Sequence, residues 1–170
     1  FRYYILRFPN IFCYHPNPTY FVDGKKRWTG QRAIIEQAKR GEDIELWGNP
    51  KAARDVFYVK DCTQIIEKCF TSDGQCGIYN VGTGWTVTRQ QQIQGLIDVF
   101  GRHDQPSKII VRTDKPDSPI YLLDISKTIE ELGFQPKYDY LTYLKDLKYE
   151  MEINRFEKLW GKESDYTEGL

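Results

Sequence analysis

Arg54-Asp55-Val56-Phe57-Tyr58-Val59-Lys60-Asp61, continued by Cys62-Thr63-Gln64-Ile65-Ile66-Glu67-Lys68-Cys69-Phe70, reads as a strand that runs directly into a helix. Val56 to Val59 is a short apolar run. Asp61 after it can cap a helix that places Ile65, Ile66 and Cys69 or Phe70 on one face. Cys62 and Cys69, seven apart, are packing residues on that helix. Downstream, Gly77 to Val81 is a further strand that leaves into Gly82-Thr83-Gly84, and Thr88 with Gln91 three residues on forms a capping box. That box opens a helix to Phe100 with Ile93, Leu96, Ile97 and Phe100 as its buried stripe. Lys108 to Arg112 is one more strand, and Asp124 to Leu132 is a short helix stopped by Gly133.

Upstream, Phe1 to Phe8 is rich in β-favouring residues and is halted by Pro9-Asn10. A Pro- and Asn-rich loop covers Tyr14 to Thr19. Thr29 to Arg40 then repeats Ala33, Ile34, Gln37 and Ala38 at helical spacing up to Gly41. Ile44 to Trp47 is a short strand closed by Gly48-Asn49-Pro50. Leu141 to Trp160 carries Leu144, Leu147, Met151 and Phe156 on a roughly helical stripe. The alternation of strand and helix predicts an α/β class, with too few elements for a complete doubly wound sheet. The expected organisation is a strand and site loop over 1–12, a main body over 13–160 and a polar, frayed tail over 161–170.

The chain has 170 residues, 40% of them hydrophobic, enough for one domain of ordinary size. Its 24 Lys plus Arg offset 24 Asp plus Glu, so no field of one sign is available to hold nucleic acid or an anionic membrane. Any anion site must therefore be local. No apolar stretch approaches the roughly 20 residues of a spanning helix, and no charged-then-apolar leader opens the chain. The four cysteines lack a Cys-x-x-Cys pair and have only two histidines to help them, which argues against a metal site. They are expected to be reduced thiols of a cytoplasmic protein.

Three segments carry chemistry. In Leu6-Arg7-Phe8-Pro9-Asn10 a strand delivers an amide side chain to its carboxyl edge, where open α/β sheets bind ligands; Pro9 and Asn10 can equally be a plain strand stop and turn cap. Arg54 stands at the mouth of the Val56 strand, and its planar guanidinium suits a bidentate grip on phosphate or carboxylate. The competing reading pairs it with Asp55 or Asp61 as a surface ion pair of little worth. Asn80-Val81-Gly82-Thr83-Gly84 is a strand leaving into a glycine turn, without the Gly-x-Gly-x-x-Gly spacing of a dinucleotide loop.

Taken in order, these segments with Asp124-Ile125-Ser126-Lys127 and Leu132-Gly133-Phe134-Gln135-Pro136 closely resemble the carboxy-terminal half of the extended short-chain dehydrogenase/reductases, the NAD-dependent epimerase/dehydratase group that acts on nucleotide sugars. The resemblance runs from about Tyr3 to about Leu147. It implies an α/β fold that is the substrate-binding part of an NAD(P)-binding Rossmann-like protein, with the amino-terminal Rossmann half missing. It further implies that Phe8 and Pro9 lie beside the nicotinamide of NAD or NADP, and that Asn10 and Arg54 bind the diphosphate of a nucleotide-diphosphate sugar. A second basic residue is expected near Lys115-Pro116-Asp117, with Lys115 or Arg112 in that role. Cys13 stands where the family has glycine, so the Cys13 to Trp28 loop over the sugar is expected to differ in shape. The expected activity is 4-epimerisation through a keto-sugar, with 4,6-dehydration second. No tyrosine has a lysine four residues on, so the family's Tyr-x-x-x-Lys pair is absent and these 170 residues are expected to hold no catalytic residue and to be inactive alone. A homodimer is expected from the apolar Phe1 to Phe8 strand edge. The rival expectation is a non-catalytic nucleotide sensor or scaffold of the same fold.

Overall fold

A computed structural model describes residues 1–169. The elements in chain order are β1 (Tyr4–Arg7), β2 (Ile11–Phe12), the hairpin β3 (Thr19–Val22) and β4 (Lys25–Trp28), α1 (Gly30–Arg40) and β5 (Ile44–Trp47). β6 (Ala53–Arg54), β7 (Phe57–Tyr58), α2 (Val59–Thr71), β8 (Gly77–Asn80), β9 (Val87–Thr88) and α3 (Arg89–Phe100) follow. β10 (Ile109–Arg112), α4 (Ser126–Leu132), α5 (Tyr140–Ile153), α6 (Glu157–Trp160) and α7 (Ser164–Thr167) complete the chain. The strands form five two-stranded pairs. β1–β8, β2–β7 and β5–β10 are parallel, whereas β3–β4 and β6–β9 are antiparallel. No helix among the described residues is long and apolar enough to cross a membrane.

Local chemistry explains most boundaries. α1 ends on Gly41 and α4 on Gly133, both left-handed, where a side chain would be strained. α3 opens on the full Thr88/Gln91 box, with the Thr88 hydroxyl accepting from the Gln91 amide at 3.1 Å and Gln91 Oε1 accepting from the Thr88 amide at 2.9 Å. Its stripe Ile93, Leu96, Ile97 and Phe100 is buried against α1, β5 and the Tyr143–Leu144–Leu147 face of α5. A second cluster gathers Phe57, Ile65, Tyr79, Val81, Leu132 and Phe134, with Cys62 and Cys69 packed against it.

Several expectations from the sequence differ from what is found. β3 and β4 form a hairpin where no strands were expected; Asp23 and Gly24 both take positive φ, the geometry of a tight hairpin turn. Asp61 does not cap α2, which begins at Val59; it lies in the first turn, fully buried, and accepts from the backbone amides of Lys137 at 2.9 Å and Tyr138 at 3.1 Å. Ile66 and Phe70 face outward beside Tyr4 and Leu6 instead of joining Ile65 inside, because Tyr79 and Leu132 fill the space under α2. Phe156 is also outside the core. The tail expected to fray instead includes α7, preceded by Glu163, which pairs with the buried Arg32 of α1, while the Tyr166 hydroxyl donates to the carbonyl of Trp160.

Asp55 is the other buried carboxylate. It accepts from the Thr83 amide at 3.1 Å and the Thr83 hydroxyl at 2.7 Å, which clamps the end of β6 to the turn after β8. Any Cβ at Gly82 would collide with the Asp55 carboxylate, so the glycine is required by close approach. Burial pushes the pKa of Asp55 up, and the two Thr83 hydrogen bonds oppose this.

Two predictions follow from the packing. Gly95 of α3 lies against Tyr140 and Leu144, and a Cβ there would sit 2.8 Å from the Tyr140 ring. Gly95→Leu gains about 0.8 kcal/mol of helix propensity but overpacks the α3–α5 seam; the expected net result in denaturant unfolding is a loss of about 1–2 kcal/mol, and a gain would show that the seam is loose. The folded state also binds a proton at Asp55 more tightly than the unfolded chain does. That stability is present below the ordinary carboxylate pKa of about 3.9 and is lost as pH rises through the folded value. The melting temperature of Asp55→Asn, relative to the parent, should therefore be more favourable at about pH 7 than at about pH 4. The opposite order would mean that the carboxylate is better stabilised folded than unfolded.

Candidate functional site

The loop after β1, the end of β6, the start of α1 and the first turns of α3 enclose a cavity of about 510 Å³. Its walls are Asn10, Gln31, Arg54, Arg89, Gln92, Ser118 and Tyr140 on the polar side and Ile11, Phe12, Ile34, Val56 and Leu96 on the apolar side. No carboxylate among the described residues lines it. Asn10 and Arg54, proposed from separate motifs, are thus brought to one cleft.

Arg54 arrives there through strand pairing. β6 and β9 are antiparallel with Ala53 opposite Thr88 and Arg54 opposite Val87, and the Arg89 amide donates to the Ala52 carbonyl at 2.7 Å. The Arg54 guanidinium stands 5.9 Å over the Phe12 ring, a cation–π contact. Its one hydrogen bond is from Nη2 to Gln92 Oε1 at 3.3 Å, and its buried Nε has no partner. It pairs with neither neighbouring aspartate, because Asp55 is turned to Thr83 and Asp61 to Lys137 and Tyr138. The ion-pair alternative is set aside by this geometry.

Aromatic packing stiffens the wall behind Arg54. Phe12 meets Tyr143 at 5.9 Å between ring centroids, Tyr143 meets Tyr58 at 4.8 Å, and Gln31 Nε2 donates to the Tyr143 hydroxyl at 2.6 Å. The Tyr140 hydroxyl donates to the Gln92 carbonyl at 2.7 Å, and burial pushes the Tyr140 phenol up, so it remains neutral. Nothing in this wall is poised to move a proton.

The other expected residues lie elsewhere. Phe8 packs on Phe57 at 5.8 Å, against the second core cluster, and neither Phe8 nor Pro9 lines the cavity. Arg112 is held by Asp114 and Glu45 on the outer side of β10, and these carboxylates raise its pKa; it is not brought to the site. Lys115 lies 5.6 Å over the Trp47 ring. It is kept there because Asp117 accepts from the Asn49 amide at 2.5 Å and crowds Gly48, which turns Ser118, not Lys115, into the cavity. The glycine turn 82–84 commits the Thr83 amide to Asp55 and in this respect serves the fold.

Among the lining residues that spacing did not reveal, which include Gln31, Gln92, Ser118 and Tyr140, Arg89 is the cation; it lies inside a segment fully explained as a helix start. A signal was present: a cation at the first helical position is on the wrong end of the helix dipole, a local cost without local compensation. Burial, and then the charge of Arg54, lower the pKa of Arg89.

Residues 1–82 match the model of the NAD dependent epimerase/dehydratase family. The dTDP-glucose 4,6-dehydratase of Xanthomonas campestris pv. campestris is 27% identical over 115 residues, which are 63% of this chain and 33% of that protein. The solved UDP-N-acetylglucosamine 4-epimerase of Bacillus cereus superposes with a TM-score of 0.66 at 23% identity, over 88% of this chain and 46% of that one. The UDP-glucose 4-epimerase of Thermotoga maritima, solved with UDP-glucose, gives 0.64 at 25% identity over 89% and 47%. The chain thus spans about a third of the length of the curated relatives it matches and less than half of these solved chains. Over residues 1–82, just under half of its length, the chain is thus similar to the NAD-dependent epimerase/dehydratase family, and its fold is that of the solved nucleotide-sugar epimerases.

Proposed function

We propose that this chain is the substrate-holding part of an NAD(P)-dependent nucleotide-sugar epimerase, with 4-epimerisation through a keto-sugar as the reaction and 4,6-dehydration as the second choice. The observation that carries the reading is the convergence of Asn10 and Arg54, from two separate motifs, on one cavity where Arg54 has no anionic partner among the described residues. A diphosphate supplies what the cavity lacks. The Arg54 guanidinium offers it charge-assisted hydrogen bonds, and the Asn10 amide offers a neutral donor. The apolar side, with Ile11, Phe12 and Ile34, suits the less polar parts of a nucleotide sugar.

When bound, NAD(P) supplies the hydride acceptor for the sugar. On this reading Phe8 and Pro9 give it at most one wall, and its phosphates and the proton-transferring pair depend on residues outside these 170. Orientation is this chain's share of the work. Fixing a charged, remote part of the substrate so that the reacting carbon is correctly placed is a recognised source of rate. Protein of these 170 residues alone is accordingly expected to show no turnover.

Arg54→Ala should weaken the binding of UDP-glucose or the corresponding dTDP-sugar to the full-length protein by roughly 1.5–3 kcal/mol, the worth of a hydrogen bond to a charged group. Isothermal titration would show this as a loss of at least about tenfold. Unchanged affinity for both sugars would remove Arg54 from the site, and absence of nucleotide-sugar binding by the parent protein would overturn the reading.

A further inference from the structure

The cavity holds a second cation that no motif led to. We propose that Arg89, with Arg54, forms a paired-guanidinium grip for a ligand carrying two adjacent negative charges, and that Arg89 fills the role expected of Lys115. This rests on reading the cavity as a diphosphate site.

The argument begins with placement. The β6–β9 ladder sets Arg54 opposite Val87, two residues before Arg89, so that both guanidiniums line the same cleft. The Nε of each is buried and has no hydrogen-bond partner among the described residues. A buried donor left unpaired is costly, and two like charges in a poorly solvated cleft add to that cost. Burial, and then the charge of Arg54, lower the pKa of Arg89. Among the described residues no carboxylate relieves that cost: none lines the cleft, Asp55 is committed to Thr83, and Gln92 gives Arg54 only a 3.3 Å contact from a neutral oxygen.

The backbone does not supply the positive end of this site. The first amides of α3 are already engaged, Arg89 to Ala52 at 2.7 Å, Gln90 to Pro50 at 3.1 Å and Gln91 to the Thr88 hydroxyl. The charge in the cleft is therefore that of the two side chains. Two planar forks facing one space can hold two neighbouring phosphoryl groups, whereas a single carboxylate or phosphate leaves one of them uncompensated. Lys115 cannot share the task from its place over Trp47, where Asp117 and Asn49 tether its loop.

The test uses the full-length protein with inorganic phosphate, inorganic pyrophosphate and UDP as probes, followed by isothermal titration and by melting temperature. The parent should bind pyrophosphate at least about tenfold more tightly than phosphate. Arg89→Met and Arg89→Gln should each lose about tenfold or more for pyrophosphate and UDP, while Lys115→Met stays within about twofold. Without ligand, both Arg89 variants should melt at or above the parent temperature, since they relieve an uncompensated charge. Parent-like affinity in both Arg89 variants overturns the proposal and leaves the nucleotide-sugar reading standing if the parent binds UDP. A tenfold loss in Lys115→Met with Arg89→Met unaffected returns the second anchor to Lys115. A lowered ligand-free melting temperature with an unchanged ligand-induced shift makes Arg89 structural. Equal affinity for phosphate and pyrophosphate removes the paired grip, and a parent that binds pyrophosphate but not UDP keeps the grip while overturning the nucleotide reading.

Discussion

The structure turns on a carboxylate that has been buried without a cation. Asp55 is fully enclosed, and among the described residues the groups that satisfy it are the amide and hydroxyl of Thr83. An ionised group in that position holds its donors firmly, because releasing them would leave a desolvated charge unpaired. One interaction therefore fixes the end of β6 against the turn that follows β8. It demands glycine at position 82, sets the β6–β9 pairing and, through it, directs the start of α3. Arg54 and the first turn of α3 share a cavity because Asp55 accepts hydrogen bonds from Thr83.

Other motif residues act in the same way. Asp61 draws in the segment after Leu132-Gly133-Phe134 through the amides of Lys137 and Tyr138. Asn80 donates to the Asp124 carbonyl at 3.1 Å and accepts from the Thr128 hydroxyl at 2.6 Å, and Asp124 accepts from the Ser126 amide at 2.9 Å to start α4. Asp55, Asp61 and Asn80 each fasten segments that are distant in the sequence. The motifs are a set of clasps around a site, with only Asn10 and Arg54 of the expected polar ligands exposed to what the cavity would hold.

The electrostatics of fold and site are consequently opposite in kind. In the fold, Asp146 and Glu150 answer Lys60, and Glu163 answers Arg32. In the cleft, no carboxylate among the described residues stands against Arg54 or Arg89. A chain with balanced total charge can hold an anion in this way, by withholding partners from a few cations at one place. Local rules broken without local repayment are a mark of function in an otherwise consistent fold.

The periodic elements were legible because their causes are local. Thr88 and Gln91 announce α3, Gly41 and Gly133 end α1 and α4 by their left-handed backbone, and the Ile93–Leu96–Ile97–Phe100 stripe follows from the pitch of a helix. The order of motifs likewise carried the resemblance to the epimerase/dehydratase family. What the sequence left undecided was every matter of pairing over distance: whether Asp61 caps or clasps, which side of α2 meets Tyr79, and whether Lys115, Arg112 or Arg89 reaches the cavity. Those outcomes depend on which buried donor finds which acceptor once the strands have paired, and on crowding such as that of Asp117 on Gly48. Spacing along the chain carries no information about such contacts. The sequence by itself determined the elements and their class, and the tertiary structure alone decided which cations stand unpaired in one cleft, because desolvation and hydrogen-bond satisfaction are set by neighbours in space.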